Sequence, residues 1–332
     1  MNQFTNAIGI DVSKSTLDGY DYLHQTAVKV SNTASGFKHL LKWASKLNRS
    51  AGPALFCFEH TGLYSLPLAI FLSGQQITYA MVPGLEIKRS LGLRRGKSDR
   101  ADAQAIARYA FQRRGDIKIY QLPANQLLEL KSLLSLREKM VIQRAGYKAT
   151  KKEMKTFLKV AKPSAVVFNV QDKLIKELNA QITTVEKQIQ QIILSQEHLK
   201  KIFLLVTSVK GVGLILGTAM MVYTNCFTAF DDWRKFACYC GIVPFEYQSG
   251  TSLKGKKKIS QLGNKRIKAL LSNAACSSIQ FNSEMKLYYQ KRLKEGKSKM
   301  SIQNIIRNKI VARIFAVVHR GTPYVDTLKF AA

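Results

Sequence analysis

Near its start the chain contains the run Ala7-Ile8-Gly9-Ile10-Asp11-Val12-Ser13-Lys14. A short apolar run that ends at an acidic residue and a small polar turn is typical of a buried strand that brings one carboxylate to the edge of a sheet. Taking the Asp11 carboxylate partly out of water is costly unless a cation or hydrogen-bond donors compensate. A bound metal is one explanation and a plain strand end is the other, so Asp11 alone leaves the choice open.

Outward from this strand, residues 1–122 alternate strand and helix patterns. Leu17–Leu23 and Thr26–Val30 predict a β-hairpin beside the first strand. Ala54–Glu59 predicts a second buried strand that again ends in a carboxylate, and Ile77–Val82 predicts a third. Strands, a hairpin and crossover helices in this order predict an α/β domain with a mixed sheet.

Carboxylates in this part of the chain lie mostly at the ends of elements. Residues 1–114 contain seven carboxylates; Asp11 and Glu59 end strands, while Asp99 and Asp102 begin a helix three residues apart, so their side chains can share a face. Magnesium prefers oxygen ligands, and two such ions about 4 Å apart can promote phosphodiester cleavage. The four carboxylates therefore predict a magnesium site. For the helical pair, an N-cap at Asp99 with Asp102 at the third helical position is the alternative.

The composition of the chain is strongly basic. Its 52 Lys+Arg against 21 Asp+Glu leave a net charge of +31, far more than solubility needs, so we expect a polyanionic partner and first of all nucleic acid. No apolar segment reaches the roughly 18 uncharged residues of a membrane span, and the N-terminus lacks a signal-peptide pattern. The five cysteines lack paired metal-ligand spacing, which favours a reduced, cytoplasmic protein.

The middle of the chain, residues 123–205, predicts two long antiparallel helices. Apolar residues recur every three or four positions over 125–158 and again over 170–205, on either side of Pro163. In the second segment the positions 178, 182, 185, 189 and 192 follow a heptad spacing. This spacing predicts a coiled coil within the chain or between subunits, and an ordinary helical hairpin that covers a core explains it equally well.

The last segment, residues 206–332, predicts a mainly α-helical domain that binds nucleic acid. Val206–Gly213 followed by Leu214–Val222 has the pattern of a helix-hairpin-helix, whose turn amides can hold a DNA phosphate. Residues 201–332 contain 22 Lys+Arg against 6 Asp+Glu, which favours binding to the nucleic-acid backbone. The expected nucleic-acid contacts are Lys210, Gly211, Gly213, Lys254, Lys256, Lys257, Lys258, Lys265 and Arg266.

Residues 239–252 predict an exposed loop, because Pro244 and Gly250 bracket it. A serine hydroxyl beside glycine in such a loop is accessible to a substrate, although a loop serine is usually only a turn residue. No histidine stands nearby in the sequence to activate it, so a hydrolase triad is not expected.

Together these motifs resemble the DEDD transposases of insertion sequence family one hundred and ten, relatives of the Piv invertase. The resemblance covers nearly the whole chain and is carried by Gly9–Lys14, Glu59–Gly62, Lys97–Ala103, Val209–Gly213, Gly241–Pro244, Ser249-Gly250 and Gly263-Asn264.

The resemblance implies an N-terminal RuvC-like, RNase H-type domain in which Asp11, Glu59, Asp99 and Asp102 hold Mg²⁺. It also implies a C-terminal transposase domain whose serine attacks DNA; motif alignment places that serine at Ser249, with the serine at 252 as a close alternative. Family members recombine donor and target DNA under the direction of a structured guide, or bridge, RNA. They act as homo-tetramers, dimers of dimers. For a protein of this family we expect a location in the bacterial cytoplasm, associated with the nucleoid.

The hypothesis is an RNA-guided, magnesium-dependent DNA recombinase of an insertion sequence, which works through a covalent 5′-phosphoserine. One alternative is a magnesium-dependent RuvC-like nuclease whose nucleophile is water. The other is a non-catalytic nucleic-acid-binding scaffold. A covalent protein–DNA intermediate separates the first from the second, and dependence on magnesium excludes the third.

Overall fold

The computed structural model describes residues 4–48, 52–90, 92, 98–157, 164–249 and 253–326, with the backbone alone for 157, 247–249 and 253–258. The chain divides into two compact units, residues 1–122 and residues 123–332. The first unit contains β1 (Asn6–Val12), β2 (Thr16–Asp21), β3 (Thr26–Ser31), α1 (Ala34–Leu47), β4 (Ala54–Glu59), α2 (Leu66–Gly74), β5 (Tyr79–Val82), α3 (Gly84–Ser90) and α4 (Asp99–Arg113). The second contains α5 (Asn125–Phe157), α6 (Ala165–Leu194), α7 (Glu197–Ser208), α8 (Leu214–Tyr223), α9 (Trp233–Tyr239), β6 (Pro244–Ser249), β7 (Leu253–Ile259), α10 (Lys265–Phe281), α11 (Ser283–Lys294) and α12 (Lys299–Arg320).

A mixed sheet with the strand order β3-β2-β1-β4-β5 organises the first unit. The strand β1 pairs antiparallel with β2 and parallel with β4, and β5 extends the parallel side. The predicted hairpin, the two predicted strands that end in carboxylates and the mixed α/β character are confirmed. The third predicted strand is shorter than expected, since it begins at Tyr79 rather than Ile77.

Each face of this sheet buries a different apolar cluster, because successive side chains of a strand point to opposite faces. Ile8 and Ile10 of β1 join the cluster that includes residues of α1 and α2. Ala7 of the same strand joins the cluster that includes residues of α4. At Gly9 the helix lies directly on the strand, since a Cβ there would stand 2.1 Å from the Ala107 backbone nitrogen. Only glycine allows α4 to approach β1 this closely.

In the second unit, α5 and α6 lie side by side in antiparallel orientation. Arg137 Nε donates to Glu186 Oε1 at 2.6 Å, and Arg144 donates to Asn179 at 2.8 Å further along both helices. The predicted heptad positions Ile182, Val185, Ile189 and Ile192 are buried in the core of this unit. The long helical hairpin is therefore confirmed, whereas a supercoiled coiled coil and a domain boundary at residue 205 stay predictions.

The second predicted helix is not continuous to Leu205, as the sequence suggested, but divides into α6 and α7. The Ser195 hydroxyl donates to the Ile192 carbonyl, and Gln196 adopts an extended conformation before Glu197 begins the next helix. Serine competes for backbone hydrogen bonds in this way and favours a helix end, a signal that the apolar periodicity obscures. Among the described residues no helix is long and apolar enough to cross a membrane.

The expectation of an exposed loop is wrong for Pro244–Ser249, which form a strand, and residues 250–252 lie outside the described residues. Pro244–Ser249 and Leu253–Ile259 form an antiparallel two-stranded hairpin, in which Ser249 pairs with Leu253. Aromatic residues at 245 and 247 favour a strand, and lysines are common on unpaired sheet edges. Pro244 and Gly250, which are typical of loops, obscure these strand signals in the sequence. The described part of the second unit is thus mainly α-helical and contains a two-stranded hairpin.

Candidate active site

Three carboxylates lie on adjacent strands of the sheet. Asp11 of β1 pairs directly with Asp18 of β2, which puts both side chains on the same face. Because Ile10 pairs with Phe58, Asp11 and Glu59 are the next residues along two adjacent parallel strands. The sheet register therefore brings Asp18, Asp11 and Glu59 into one row at the end of β1.

The helix α4 adds two further carboxylates to the same face. Ser98 caps its N-terminus by accepting a hydrogen bond from the Ala101 backbone at 3.2 Å. The alternative in which Asp99 is the N-cap is therefore wrong, since Asp99 is the first helical residue and Asp102 lies in the same first turn. Because Ser98 supplies the cap, neither aspartate is needed to cap the start of the helix.

The electrostatics of Asp11 show that these groups are close neighbours. The pKa of the Asp11 carboxyl is raised from 3.8 to about 6, first by burial and then by the negative charges of Asp102, Asp99, Glu59 and Asp18, in that order. Like charges in one place disfavour the ionised form unless a cation offsets them. The cluster thus has an excess of negative charge that a metal ion would neutralise.

A lysine lies at the outer side of the same cluster. Lys29 of β3 pairs with Asp18 in the sheet register, and its ammonium group lies 3.4 Å from Asp18 Oδ2 and 3.7 Å from Asp99 Oδ2. The Lys29 side chain is 58 % exposed, so the ion pairs are weak individually. They nevertheless link the strand carboxylate to the start of α4.

The fourth predicted ligand, Glu59, has a tight local environment. Its carboxylate lies against Gly84, the first residue of α3, where a Cβ would stand 1.2 Å from Glu59 Oε1. Glycine is required at 84 for this side-chain position, and any other residue would displace the Glu59 carboxylate.

The donor set fits a hard divalent cation. Asp11, Glu59, Asp99 and Asp102 offer only carboxylate oxygens, the ligands that Mg²⁺ prefers, and Mg²⁺ needs only one or two of them besides water and phosphate oxygens. Among the described residues, no three Asp, Glu, His or Cys side chains converge closely enough to hold one ion by themselves. A divalent ion bound by these carboxylates would therefore need oxygen ligands from water or phosphate as well.

In the second unit, two glycines fix the base of the β6–β7 hairpin, in which Ser249 is the last residue of β6. One glycine lies before β6 and the other after β7. Gly241 and Gly263 meet backbone to backbone, so a Cβ on Gly263 would stand 2.3 Å from the Gly241 Cα. Beside them, the Asn264 backbone donates to the Tyr239 carbonyl at 2.8 Å, and the Asn264 side chain donates to the Tyr239 hydroxyl at 2.8 Å. The motif residues Gly241, Gly263 and Asn264 therefore close the hairpin base.

Two asparagines of α12 also bind the base of this hairpin through hydrogen bonds to one backbone carbonyl. Asn304 Nδ2 donates to the Ile242 carbonyl at 2.7 Å, and Asn308 Nδ2 donates to the same oxygen at 3.0 Å. Asn304 is buried at 8 % exposure, and buried hydrogen bonds of this kind are expensive to leave unmade. The main chain is therefore fixed two residues before β6 begins.

The residues predicted to contact nucleic acid have varied surroundings. Gly211 adopts a φ of +90°, a conformation that favours glycine, and Gly213 precedes α8 as its N-cap. Lys210 forms an ion pair with Asp326, and Arg266 forms one with Glu138 at 2.8 Å. Lys265 is exposed at the start of α10. Lys254, Lys256, Lys257 and Lys258 lie on β7, and the serine at 252 lies outside the described residues.

The sequence alone did not single out Asp18, Lys29, Asn304 and Asn308. The first two become relevant only through the strand register, which pairs Asp11 with Asp18 and Asp18 with Lys29. The period-two pattern of the hairpin contained that signal. The asparagines lie more than 60 residues from Ile242 along the chain, so no local pattern indicates their contact.

Comparisons with known proteins identify relatives over both units. Residues 8–163 match the family model of the DEDD transposases of IS110, and residues 204–290 match that of the transposase IS116/IS110/IS902 family. The pilin gene-inverting protein of Moraxella bovis is 25 % identical over 323 residues, which cover 96 % of this chain and 97 % of that protein. The pilin gene-inverting protein of Moraxella lacunata has the same identity and coverage. An uncharacterized 43.6 kDa protein of insertion element IS110 from Streptomyces coelicolor is 25 % identical over 118 residues, 36 % of this chain and 29 % of that protein.

Proposed function

Because the chain belongs to the IS110 family of DEDD transposases, we propose that it is a magnesium-dependent DNA recombinase whose nucleophile is Ser249. The observation that carries the proposal is the row of carboxylates on one face of the sheet, joined by the first turn of α4. The mixed sheet order is consistent with an RNase H-like domain of the RuvC type. The IS110 family acts on DNA, and a net charge of +31 suits that partner.

Asp11, Glu59, Asp99 and Asp102 are the residues that would hold Mg²⁺. When bound, the ion supplies Lewis-acid activation of the scissile phosphate and stabilisation of the leaving oxygen. The chain's own part is to keep these carboxylates on one face, where the packing of α4 against Gly9 sets the distance between helix and strand. Positioning and charge stabilisation are the main contributions a protein makes to phosphoryl transfer.

In the proposed reaction the Ser249 hydroxyl oxygen forms an ester bond with the scissile phosphorus, and its proton passes to solvent. The bond between phosphorus and the 3′ oxygen of the neighbouring deoxyribose breaks, and that oxygen leaves as a 3′ hydroxyl after taking up a proton. The 5′ phosphate stays on the serine, which conserves the bond energy for rejoining to another strand. No oxidant, reductant or nucleotide cofactor is needed.

The further parts of the proposal concern guidance and assembly. We infer a structured guide RNA as the source of sequence selection, because base pairing rather than side chains would then choose donor and target. A homo-tetramer, as a dimer of dimers, would bring two donor and two target strands together. The turn between α7 and α8 would hold a DNA phosphate in the manner of a helix-hairpin-helix.

The experiment that tests the proposal is denaturing electrophoresis of the protein with labelled donor and target DNA and Mg²⁺, with and without RNA transcribed from the element's flank. A labelled band at the mass of the protein is expected, and it should vanish in Ser249→Ala. The matched control is Ser252→Ala, three residues further along the chain, which should keep the band.

The other outcomes are equally clear. Cutting without a covalent band would make water the nucleophile and replace the recombinase by a nuclease. Loss of the band only in Ser252→Ala would move the nucleophile to that serine. An equal reaction rate with and without RNA would contradict the guide-RNA part of the proposal. A protein mass of 37.3 kDa in the active complex, measured by light scattering, would contradict the homo-tetramer.

A further inference from the structure

An open polar cleft runs between β2 and α4 in the first unit. It has a volume of about 420 Å³, within the range of pockets that bind small molecules or parts of larger ligands. The residues that line it are Tyr20, Tyr22, Leu23, Gln25, Gln104 and Arg108. We refer to it as the Tyr20 cleft. None of these residues belongs to the predicted metal-binding or nucleic-acid-binding sets.

The aromatic wall of the Tyr20 cleft is rigid. Tyr20 is buried against Ala103 and Ala107 of α4, and its hydroxyl accepts a hydrogen bond from Gln104 Nε2 at 3.2 Å. The ring of Tyr22 stacks on Phe111, with the ring centroids 4.3 Å apart. Fixed tyrosine rings offer a stacking or edge contact at little cost in side-chain entropy.

The opposite wall carries polar and positive groups on one face of α4. Gln104 and Arg108 are four residues apart and both exposed, so their side chains are neighbours on the helix surface. Among the described residues, Arg108 has no carboxylate within ion-pairing distance. Its guanidinium is therefore available to an anion that enters the cleft.

The cleft begins next to the carboxylates on both of its walls. Tyr20 follows Asp18 by two residues on β2, so it points to the same face about 7 Å further along the strand. On α4, Gln104 and Arg108 lie about 3 Å and about 9 Å beyond Asp102 along the helix axis, and both leave the helix on a different side from Asp102. Both walls thus lead away from the place where the scissile phosphate would lie.

We propose that the Tyr20 cleft binds the DNA strand that carries the scissile phosphate, at the nucleotides next to the cleavage point. Arg108 pairs with a backbone phosphate, Gln104 donates to a sugar or phosphate oxygen, and Tyr22 with Leu23 contacts an unstacked base. A groove with positive charge and aromatic side chains is the usual way to hold a single strand without sequence preference. The inference rests on the proposed function, because it uses the carboxylates to set the direction of the strand.

The experiment measures binding of the full-length protein to a fluorescein-labelled single-stranded DNA of mixed sequence by anisotropy, over a series of salt concentrations and in EDTA. Arg108→Ala should weaken binding about tenfold at low salt, because a charge-assisted contact is lost. It should also reduce the slope of log Kd against log salt by about 0.7, the value for one phosphate contact on a single strand.

The matched control is Arg113→Ala on the same helix. Arg113 is exposed and lies beside Tyr109 and Glu86, outside the Tyr20 cleft. Arg113→Ala removes one positive charge from α4, as Arg108→Ala does. An effect of net charge alone would therefore appear equally in both variants. Both arginines are exposed, and equal melting temperatures would show that neither change disturbs the fold.

A second measurement locates the strand directly. The same oligonucleotide with 4-thiothymidine is photo-cross-linked to the wild-type protein, and peptides that contain Tyr20 or Tyr22 should carry the adduct. Equal affinity and salt slope for Arg108→Ala and Arg113→Ala, or cross-links confined to other peptides, would overturn the proposal. Because these measurements need no chemistry, they fail or succeed independently of whether a phosphoserine forms.

Discussion

The two regions that carry the proposed chemistry are held in place by different forces. The carboxylates of the first unit are mounted on a five-stranded sheet, and the close contact of Gly9 with Ala103 and Ala107 presses α4 onto that sheet. Ser249 lies on a hairpin of two strands, whose base is fixed by side-chain amides on one carbonyl. A hairpin of two strands has little stability of its own in water.

The two regions are therefore sensitive to different substitutions. A row of like charges is unfavourable, and the buried strands and the α4 contact keep it together. The hairpin brings no such repulsion, but its direction depends on a few neutral hydrogen bonds at the residues before Pro244. Substitution of a carboxylate should therefore remove the chemistry and leave the fold, while substitution at the hairpin base should loosen one element and slow the reaction partially.

The largest effect is expected for Asp11→Asn. The amide keeps the shape but removes a charged ligand, so cleavage in Mg²⁺ should fall more than about 100-fold, since even groups that only orient a metal ligand are worth about 10- to 100-fold. DNA affinity should stay within about twofold, because the backbone contacts lie elsewhere. The measurement is the single-turnover cleavage rate at saturating DNA, with Asp116→Asn, an exposed aspartate after α4, as the control. Full activity of Asp11→Asn in Mg²⁺ would end the metal-site interpretation.

An intermediate effect is expected for the double variant Asn304→Ala with Asn308→Ala. The Ile242 carbonyl then loses both donors, and a buried acceptor left unpaired costs about 1–3 kcal/mol. Covalent adduct formation should slow about tenfold, and hydrogen exchange of the β6 and β7 amides should become faster. DNA affinity should not change.

The single variant Asn308→Ala is the matched control, because Asn304 at 2.7 Å still satisfies the Ile242 carbonyl. Its adduct rate should stay within about threefold of the wild type. If the double variant forms the adduct at the wild-type rate while its hairpin exchanges faster, the direction of the hairpin is not set by its base, and the contrast between the two regions disappears.

Much of the first unit could be predicted from the sequence, because its signals are local. The run from Ala7 to Asp11 has the length and composition of a buried strand, and Ala54–Glu59 repeats them. The start of α4 at Asp99 also follows from its own residues, although the N-cap is Ser98 rather than Asp99. The membership of Asp18 in the carboxylate row could not be predicted in the same way, since it depends on which residue of β2 pairs with Asp11.

The second unit shows where local signals mislead. The apolar periodicity continues across Ser195 although the helix ends there, because the same core is covered by both α6 and α7. Around Ser249, proline and glycine suggested a loop, but pairing of two segments makes strands of them. The asparagine contacts with Ile242 join residues that are distant in sequence, and a single sequence contains no sign of them.

The smallest effect is expected for substitution of Asp21, a buried carboxylate of the sheet. The hairpin base is instead bound by neutral asparagine amides. Asp21 at the end of β2 is fully buried, and its oxygens accept hydrogen bonds from Asn6, Asn48 and the His24 backbone at 2.9 to 3.0 Å. Burial alone would raise the pKa of the Asp21 carboxyl, but these hydrogen bonds, with one to the His24 ring, hold it below its ordinary value of 3.8. The ionised form is therefore favoured in the folded state.

A group with a lowered folded-state pKa stabilises the protein at pH values above its unfolded-state pKa, and this contribution is lost as the pH falls through the folded-state pKa. Asp21→Asn should therefore lower the unfolding free energy by about 1–3 kcal/mol at pH 7, and the deficit should shrink below about pH 4. Urea unfolding from pH 2 to 5 measures this, with exposed Asp116→Asn as the control. The effect of Asp21→Asn on amide protection of β1 and β2 should show the same pH dependence. Amide protection of β6 and β7 should not change with pH in this way, because neutral side-chain amides fix the hairpin base. An equal acid response of both regions would mean that Asp21 does not distinguish the sheet from the hairpin.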